Sequence, residues 1–599
     1  MTAPTQSPPR GATPLWFGPD DRPLFGWLHL PADGRVRGGV VLAAPLGIEA
    51  ICTYFTYRLV AQELADRGIA VLRFDYEGTG DSSGLETDPD RLDAWLASLA
   101  AAVDLLVGMG ITALGLAGTR MGGLFAAHEA ARRGGVSALA LWDPCLSGKS
   151  FLREQRFLRL LSETGGDPAE EAVEAPGLRF EADTVKALTD LELTTLPGTL
   201  ARRTLVLIPP DVSKPRALLH RLEGTAVEWQ EATGQDRLLD SNIQEPPTPT
   251  IRRLAEWFSS TLDGEPVVVT PPRRPTAVVG HTPAGSPLEE HTVAVGPLGL
   301  FGIVSEPPTA AVGPTVVLVN EGNTHHIGQA RIWVDLARTL AASGLRVLRF
   351  DLSGNGDSGV RPGQPTHVAR APEAIDDVYQ AMVGIAPDDP TDVLLVGFCS
   401  GAYQVVEQAM VHAPRGMCLI NPVFSFLPPE SPGSHLRRAR QATAPWLVRT
   451  LAPALTWYGG KRGSLAAARG ASSLADGTWP FALATRLPWI PSSVWGLVCR
   501  TLLENTGVAT LEYLANQGVD TVLVSGPGDF AMLSLGSERQ VDRLRSNPRF
   551  HLELMSELNH AAWVMWQRQR LVEVVATDIV SAHRWASISD DASSDRVLS

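Results

Sequence analysis

The sequence predicts two tandem α/β domains, each a mostly parallel sheet flanked by helices, the second with a large cap insertion. The first observation behind this is a long repeat. Val71-Leu72-Arg73-Phe74-Asp75 runs into Gly78-Thr79-Gly80-Asp81-Ser82, and Val347-Leu348-Arg349-Phe350-Asp351 runs into Gly354-Asn355-Gly356-Asp357-Ser358, 276 positions further on. Phe25-Gly26 and Phe301-Gly302 share that spacing. So long a period does not suit a solenoid and marks two copies of one domain. The second observation is that short β-branched runs alternate with longer segments of helical period, as βα units around a parallel sheet do. The third is the stretch between Ile420 and Thr521, about 100 residues, far longer than an ordinary αβ connection.

In the first copy, strands are expected at Val40–Ala43, Ala70–Phe74, Ala113–Leu116, Ala138–Trp142, Thr204–Ile208 and Ala226–Glu231. The second copy repeats the order with Thr315–Val319, Arg346–Phe350, Asp392–Val396, Gly416–Ile420, Thr521–Ser525 and His551–Met555, and with helices that include Ile332–Ala342 and Ala371–Gly384. The copies span 1–261 and 287–583. Between them 262–286, rich in Pro, Gly and Thr, reads as a linker. The cap covers about 424–510. The first dozen or so residues and the tail 584–599 are too polar to pack and are expected to be disordered.

Composition narrows the function. A chain of 599 residues is too long for one core, and 44% apolar content excludes disorder for its bulk. The net charge of -14, from 65 acidic and 51 basic residues without a Lys/Arg cluster, argues against a nucleic-acid partner. The start lacks the order of a signal peptide, and no apolar run approaches the roughly 18 residues of a membrane span. A cytoplasmic location is expected. Five scattered cysteines form neither a disulfide framework nor a CxxC pattern.

Ligands of such sheets bind beyond the carboxyl ends of the strands. There, after Asp392–Val396, lies Gly397-Phe398-Cys399-Ser400-Gly401, followed by a helical run. Small residues on either side of Cys399 allow a strained turn that projects the central side chain above the sheet. A helix N-terminus also favours the thiolate. A buried structural Cys is the bland alternative. Context favours the nucleophile, because Asp529 follows one late strand and His560 the last, in the chain order nucleophile, acid, base.

An oxyanion hole would draw one N–H from Ser400 and a second from Gly322 or Asn323, in the loop after Thr315–Val319. His325 and His326, in the same loop, are expected to line the pocket mouth. Beside Glu321 they suggest a metal, but adjacent histidines point apart and lack helical metal-site spacing, so no metal is expected.

The Phe350-Asp351-x-x-Gly354-x-Gly356-Asp357-Ser358 segment, the elbow and the late Asp and His resemble the α/β-hydrolase superfamily, over most of both copies. More narrowly, Ile327-Gly328 through Leu336-Ala337-Arg338 to Asp357-Ser358, with Cys at the elbow, resembles hydrolases associated with the exosortase A system. The resemblance implies acyl chemistry on an ester, thioester or amide, with no cofactor.

In the first copy the elbow reads Gly118-Thr119-Arg120-Met121-Gly122-Gly123, and a guanidinium cannot serve as nucleophile. Asp211 keeps the acid position, while counting along the last strand puts Asp236 where the His should be. Arg120 with Asp211 and Asp236 is expected to form a salt-bridged plug, with an anion site as the alternative, in a non-catalytic domain that supports, dimerises or recruits. In the cap, Trp446 and Trp457 are candidates for an apolar acyl pocket. Arg437, Arg438, Arg440, Lys461 and Arg462 could meet the phosphate of an acyl carrier protein or coenzyme A, but a solvated helix face is the better explanation.

The expected function is acyl transfer or hydrolysis of a small-molecule ester or thioester through Cys399, His560 and Asp529, in a biosynthetic setting. The alternatives are a simple esterase or lactonase, and a non-catalytic binding scaffold. A homo-oligomer is compatible with the sequence.

Overall fold

The structure is a computed structural model and describes residues 11–161, 171–210, 212–240, 244–369, 371–423, 507–534 and 537–594. The expected cap, Trp446 and Trp457 included, lies almost wholly outside the described residues, as do Asp211 and the first ten residues.

The first copy builds an eight-stranded sheet from β1 (Ala12–Phe17), β2 (Leu24–His29), β3 (Gly38–Ala43), β4 (Ile69–Phe74), β5 (Leu114–Thr119), β6 (Ala138–Trp142), β7 (Arg203–Ile208) and β8 (Val227–Glu231), in the order β1-β2-β4-β3-β5-β6-β7-β8. The first two strands are antiparallel and the remaining six run parallel. Their apolar runs are continuous because helices cover both faces. Val40, Leu42, Ile69 and Val71 pack against the helices Ile48–Ala65 and Thr248–Thr261, while Val41, Leu72, Leu116 and Leu139 pack against Arg91–Gly108 and Met121–Arg133.

The second copy contributes β9 (Thr276–His281), β10 (Pro287–Val295), β11 (Leu300–Glu306), β12 (Thr315–Val319), β13 (Val347–Phe350), β14 (Val393–Phe398), β15 (Gly416–Ile420), β16 (Asp520–Ser525) and β17 (Phe550–Leu554). The compact units of the chain do not follow the two copies. One unit is Met1–Val312, Thr324–His367 and Ala562–Glu573, and the other is Gly313–Asn323, Val368–Ala561 and Val574–Ser599. Beside the first sheet, the first unit holds an antiparallel ladder of β9, β10, β11 and β13. The second unit holds the parallel strands β12, β14, β15, β16 and β17.

Two expectations about the chain's organisation need correction. Residues 262–286 are not a free linker: Val267–Val268 pairs with Arg35–Val36, and Thr276–His281 is an edge strand. Its alternate residues Ala277 and Val279 are buried, a period that the surrounding Pro and Gly content concealed. The tail does not become irregular at 584, because the helix Met565–Ser594 continues through it. No Gly or Pro occurs there to stop it.

Within the first unit the repeated motif folds twice in the same way. The Asp75 carboxylate accepts the Asp81 N–H at 2.9 Å, and Asp351 accepts that of Asp357 at 2.7 Å. Gly80 and Gly356 both have φ 49°, and a Cβ on either would lie about 2 Å from that carboxylate carbon, so only Gly closes the turn. Ser82 Oγ accepts the Phe25 N–H and donates to the Asp75 carbonyl, and Ser358 does the same for Phe301 and Asp351.

The two turns are also exchanged. Arg73 of the first motif pairs with Asp357 of the second, and Arg349 of the second pairs with Asp81 of the first. Phe25 stacks on Phe301 at 6.3 Å, inside an apolar cluster with Trp16, Trp27, Ala277, Val279 and Ile303. Equivalent residues therefore meet one another, as they do across an isologous dimer interface.

His326 is completely buried at this contact. Nε2 lies 2.7 Å from Asp81 Oδ2 and Nδ1 lies 3.0 Å from Asp351 Oδ1. Burial alone would lower its pKa, but Asp81 and then Asp351 outweigh it and raise it to about 10. Burial likewise disfavours the Asp81 carboxylate, yet His326 and Arg349 hold its pKa well below the usual range. Because His326 is raised in the folded state, its contribution to stability is complete below its unfolded pKa of about 6.5 and is lost as pH rises through about 10. The wild-type chain should therefore lose stability over that window by an amount that His326→Gln does not. Chemical denaturation of both proteins at several pH values measures this, and equal slopes would contradict it.

Candidate active site

The elbow in the second unit follows from the carboxyl end of β14. Cys399 has φ 51° and ψ -113° and caps the helix Ser400–Ala409. A Cβ on Gly401 would lie 2.4 Å from the Val319 carbonyl oxygen, and one on Gly397 would lie 2.6 Å from the Ala402 nitrogen. The small flanking residues thus let the helix start directly against β12 while Cys399 takes the strained backbone. Its N–H donates to the Ile420 carbonyl at 2.9 Å.

His560, in the loop after β17, stands between the other two groups. Its Nε2 is 3.2 Å from Cys399 Sγ and its Nδ1 is 2.6 Å from Asp529 Oδ1. Asp529 is nearly buried, in the helix Pro527–Ser534 that follows β16, whereas 46% of the His560 side chain is exposed. Desolvation lowers the His560 pKa, but the hydrogen bonds to Asp529 and Cys399, together with their charges, raise it to about 10. Such an imidazole keeps its proton through the neutral range, where it is the partner a thiolate requires. Three groups in line can pass a proton between sulfur and ring nitrogen while the carboxylate holds the tautomer.

The structure arranges the other expected site residues less simply. Ser400 begins the helix, so its N–H has no acceptor within that helix. The Gly322 N–H is already donated to Ser400 Oγ at 2.7 Å. Gly322 therefore braces the loop against the elbow.

His325 and His326 belong to the first unit, where His325 lines a cavity together with Tyr54 and Arg73. His326 is held by the two carboxylates described above, and His325 stacks on Tyr54 at 3.6 Å; both are buried in the first unit. Burial, then the neighbouring His326, pushes the His325 pKa well below its usual value. Among the described residues, no group of three or more His, Cys, Asp or Glu could hold a metal ion.

The first copy keeps the same elbow with different chemistry. Arg120 has φ 54°, its N–H donates to the Trp142 carbonyl, and a Cβ on Gly122 would lie 2.1 Å from the Ala43 carbonyl oxygen. Its guanidinium does not pair with Asp236, which is exposed. It pairs instead with Glu49 at 3.2 Å, Asp143 at 3.9 Å and Glu154. Burial and then Arg120 act in opposite directions on Glu49, whose pKa stands at about 7. Three carboxyls around one guanidinium leave no surplus positive charge, so the anion-site alternative has no support. Glu49 and Glu154 lie on helices, where the spacing of strand ends gives no signal for them.

Two family models match the chain. Residues 316–575 match the Alpha/beta hydrolase family, and residues 49–172 match Serine aminopeptidase, S33. The two matches lie in tandem, one in each half of the chain. No curated protein matches it in sequence. Solved structures similar to it include Est1E from Butyrivibrio proteoclasticus with ferulic acid bound, at 18% identity over 41% of this chain and 98% of that one, TM-score 0.35. The esterase domain of a Rhodothermus marinus protein is 16% identical over 42% and 99%, TM-score 0.31. An esterase from Pyrococcus furiosus is 16% identical over 42% and 93%, TM-score 0.30. No helix among the described residues is long and apolar enough to cross a membrane.

Cys52, Cys145 and Cys418 are buried while Cys399 is partly exposed. Burial pushes the Cys52 thiol up to about 12 and the Cys145 and Cys418 thiols higher still. At neutral pH, iodoacetamide should therefore modify Cys399 and leave those three intact, and His560→Ala should slow the reaction about 10-fold or more. Peptide mass spectrometry checks both. Equal labelling of Cys399 and Cys418 would contradict the expectation.

Proposed function

We propose that the second copy cleaves or transfers acyl groups from esters or thioesters through a Cys399–His560–Asp529 triad. The observation that carries this reading is the His560 ring, 3.2 Å from Cys399 Sγ on one side and 2.6 Å from Asp529 on the other, at a strained strand-to-helix elbow. The Cys399 thiolate attacks the acyl carbonyl and forms a C–S bond. The C–O or C–S bond to the leaving group breaks, and His560 supplies the proton that the leaving group needs. Water, an alcohol or an amine then loses its proton to His560 and attacks the acyl thioester, which releases the sulfur. Asp529 holds the imidazole in the required tautomer, and the N–H groups of Ser400 and of Gly322 or Asn323 are the donors proposed for the tetrahedral oxyanion.

Sulfur in place of oxygen makes the intermediate an acyl thioester, which is more readily attacked by amines and alcohols than an oxyester. That favours activated donors, including acyl groups on coenzyme A or a carrier protein, over unactivated amides. With water as acceptor, the same steps make the enzyme a simple esterase or lactonase. The first copy takes no chemical part in this proposal, since Arg120 cannot give up a proton at working pH.

Incubation with a panel of acyl thioesters and activated esters should give an acyl adduct confined to the Cys399 peptide. Cys399→Ala should lose the adduct and about 10⁴-fold or more of turnover. Undiminished activity of Cys399→Ala on every donor would overturn the proposal.

A further inference from the structure

Asn421 follows β15 directly and is fully buried, with φ 42°. Its backbone N–H donates to the Val524 carbonyl at 3.0 Å. The Nδ2 group donates to the Asn559 carbonyl at 3.0 Å and the His560 carbonyl at 3.2 Å. Its Oδ1 accepts the Gly526 N–H at 2.9 Å and faces Ser525 Oγ at 3.4 Å. Two carbonyls on one side and an N–H on the other fix which end of the amide is nitrogen. One carboxamide is thus bonded both to the loop that carries the base and to the turn that leads, three residues on, to Asp529. These loops also touch directly, for a Cβ on Gly526 would lie 2.1 Å from the Leu558 carbonyl oxygen.

The first copy offers an internal comparison. At the matching place Asp143 also has positive φ, 44°, and its N–H donates to the Leu207 carbonyl at 2.7 Å. Its carboxylate, however, faces Arg120 and accepts from Gln235 Nε2 at 3.5 Å. A carboxylate has no N–H to offer two carbonyls. The copy with an acid here is also the one without a base at the elbow.

We infer that Asn421 is a positioning residue for the proposed reaction: its carboxamide ties the His560 loop to the Asp529 turn and so sets the imidazole between Cys399 and the carboxylate. This rests on the proposed triad. The bonds it makes are to the main chain of the base itself, so loosening them displaces the ring rather than the substrate, and kcat should suffer more than KM.

Asn421→Asp keeps the size and the acceptor and removes the donors, while Asn421→Ala removes both. With the full-length protein and an activated ester or acyl thioester that labels Cys399, both variants should lose about 10- to 100-fold in kcat, with KM changed by less than about threefold. Alkylation of Cys399 by iodoacetamide at neutral pH, expressed per folded molecule, should slow toward the His560→Ala rate. A loss of stability alone would not change that rate. Wild-type kcat and alkylation in Asn421→Asp would overturn the inference while leaving the triad in place if Cys399→Ala is inactive. Full activity of Cys399→Ala would overturn the triad and this inference together.

Discussion

The architecture of the first unit depends on one reciprocal exchange of charge. Arg73 reaches Asp357 and Arg349 reaches Asp81, each arginine from one copy of the repeated motif and each carboxylate from the other. All four groups are buried, and His326 and Glu290 join them, the latter 2.9 Å from Arg349. None of these charges could be buried alone: removing one partner of a buried pair typically costs about 3–5 kcal/mol. The two motifs are therefore locked to each other's sequence. A change in either copy strands a charge belonging to its counterpart, and this accounts for a first copy that has kept its fold and its Gly-x-Gly-Asp-Ser turn while its elbow carries an arginine.

The two elbows show one backbone turn carrying different side chains. Arg120 and Cys399 share nearly the same φ and the same N–H donation to the neighbouring strand. Both turns depend on a Gly packed against a carbonyl at the end of an adjacent parallel strand, β3 in one copy and β12 in the other. What differs is the company of the side chain. Around Arg120 stand Glu49, Asp143 and Glu154, which neutralise a charge that the strained turn would otherwise project unpaired. Around Cys399 stands an imidazole whose proton is held by Asp529. The first arrangement stabilises a cation that stays where it is, and in the proposed reaction the second poises a proton to move.

Much of this was legible in the residues. The parallel strands appeared as continuous apolar runs, and the elbow, Asp529 and His560 stood out because each follows such a run at its carboxyl end. The sequence resisted where partners come from the other copy. Nothing local to His326 reveals that Asp81, 245 positions away, reaches it. Arg120 was matched with Asp211 and Asp236 by strand-end counting, whereas its partners Glu49 and Glu154 sit on helices. Asn421 was legible in principle, as a polar residue directly after a fully buried strand, but its role lies in bonds to main-chain atoms that carry no sequence signature. The antiparallel ladder through β9 was hidden by Pro and Gly content, and with it the division into compact units that cut across the repeat.

In the proposed reaction two copies of the fold provide a single reacting group. Rapid mixing of the full-length protein with an excess of an activated ester, following release of the leaving group, measures that number directly. The account predicts a burst equal to one leaving group per chain, followed by slower turnover as the acyl thioester is consumed. A burst of two per chain would place a second nucleophile in the first copy. Steady turnover with no burst at any ester concentration, undiminished after Cys399 is alkylated, would contradict covalent catalysis at the elbow.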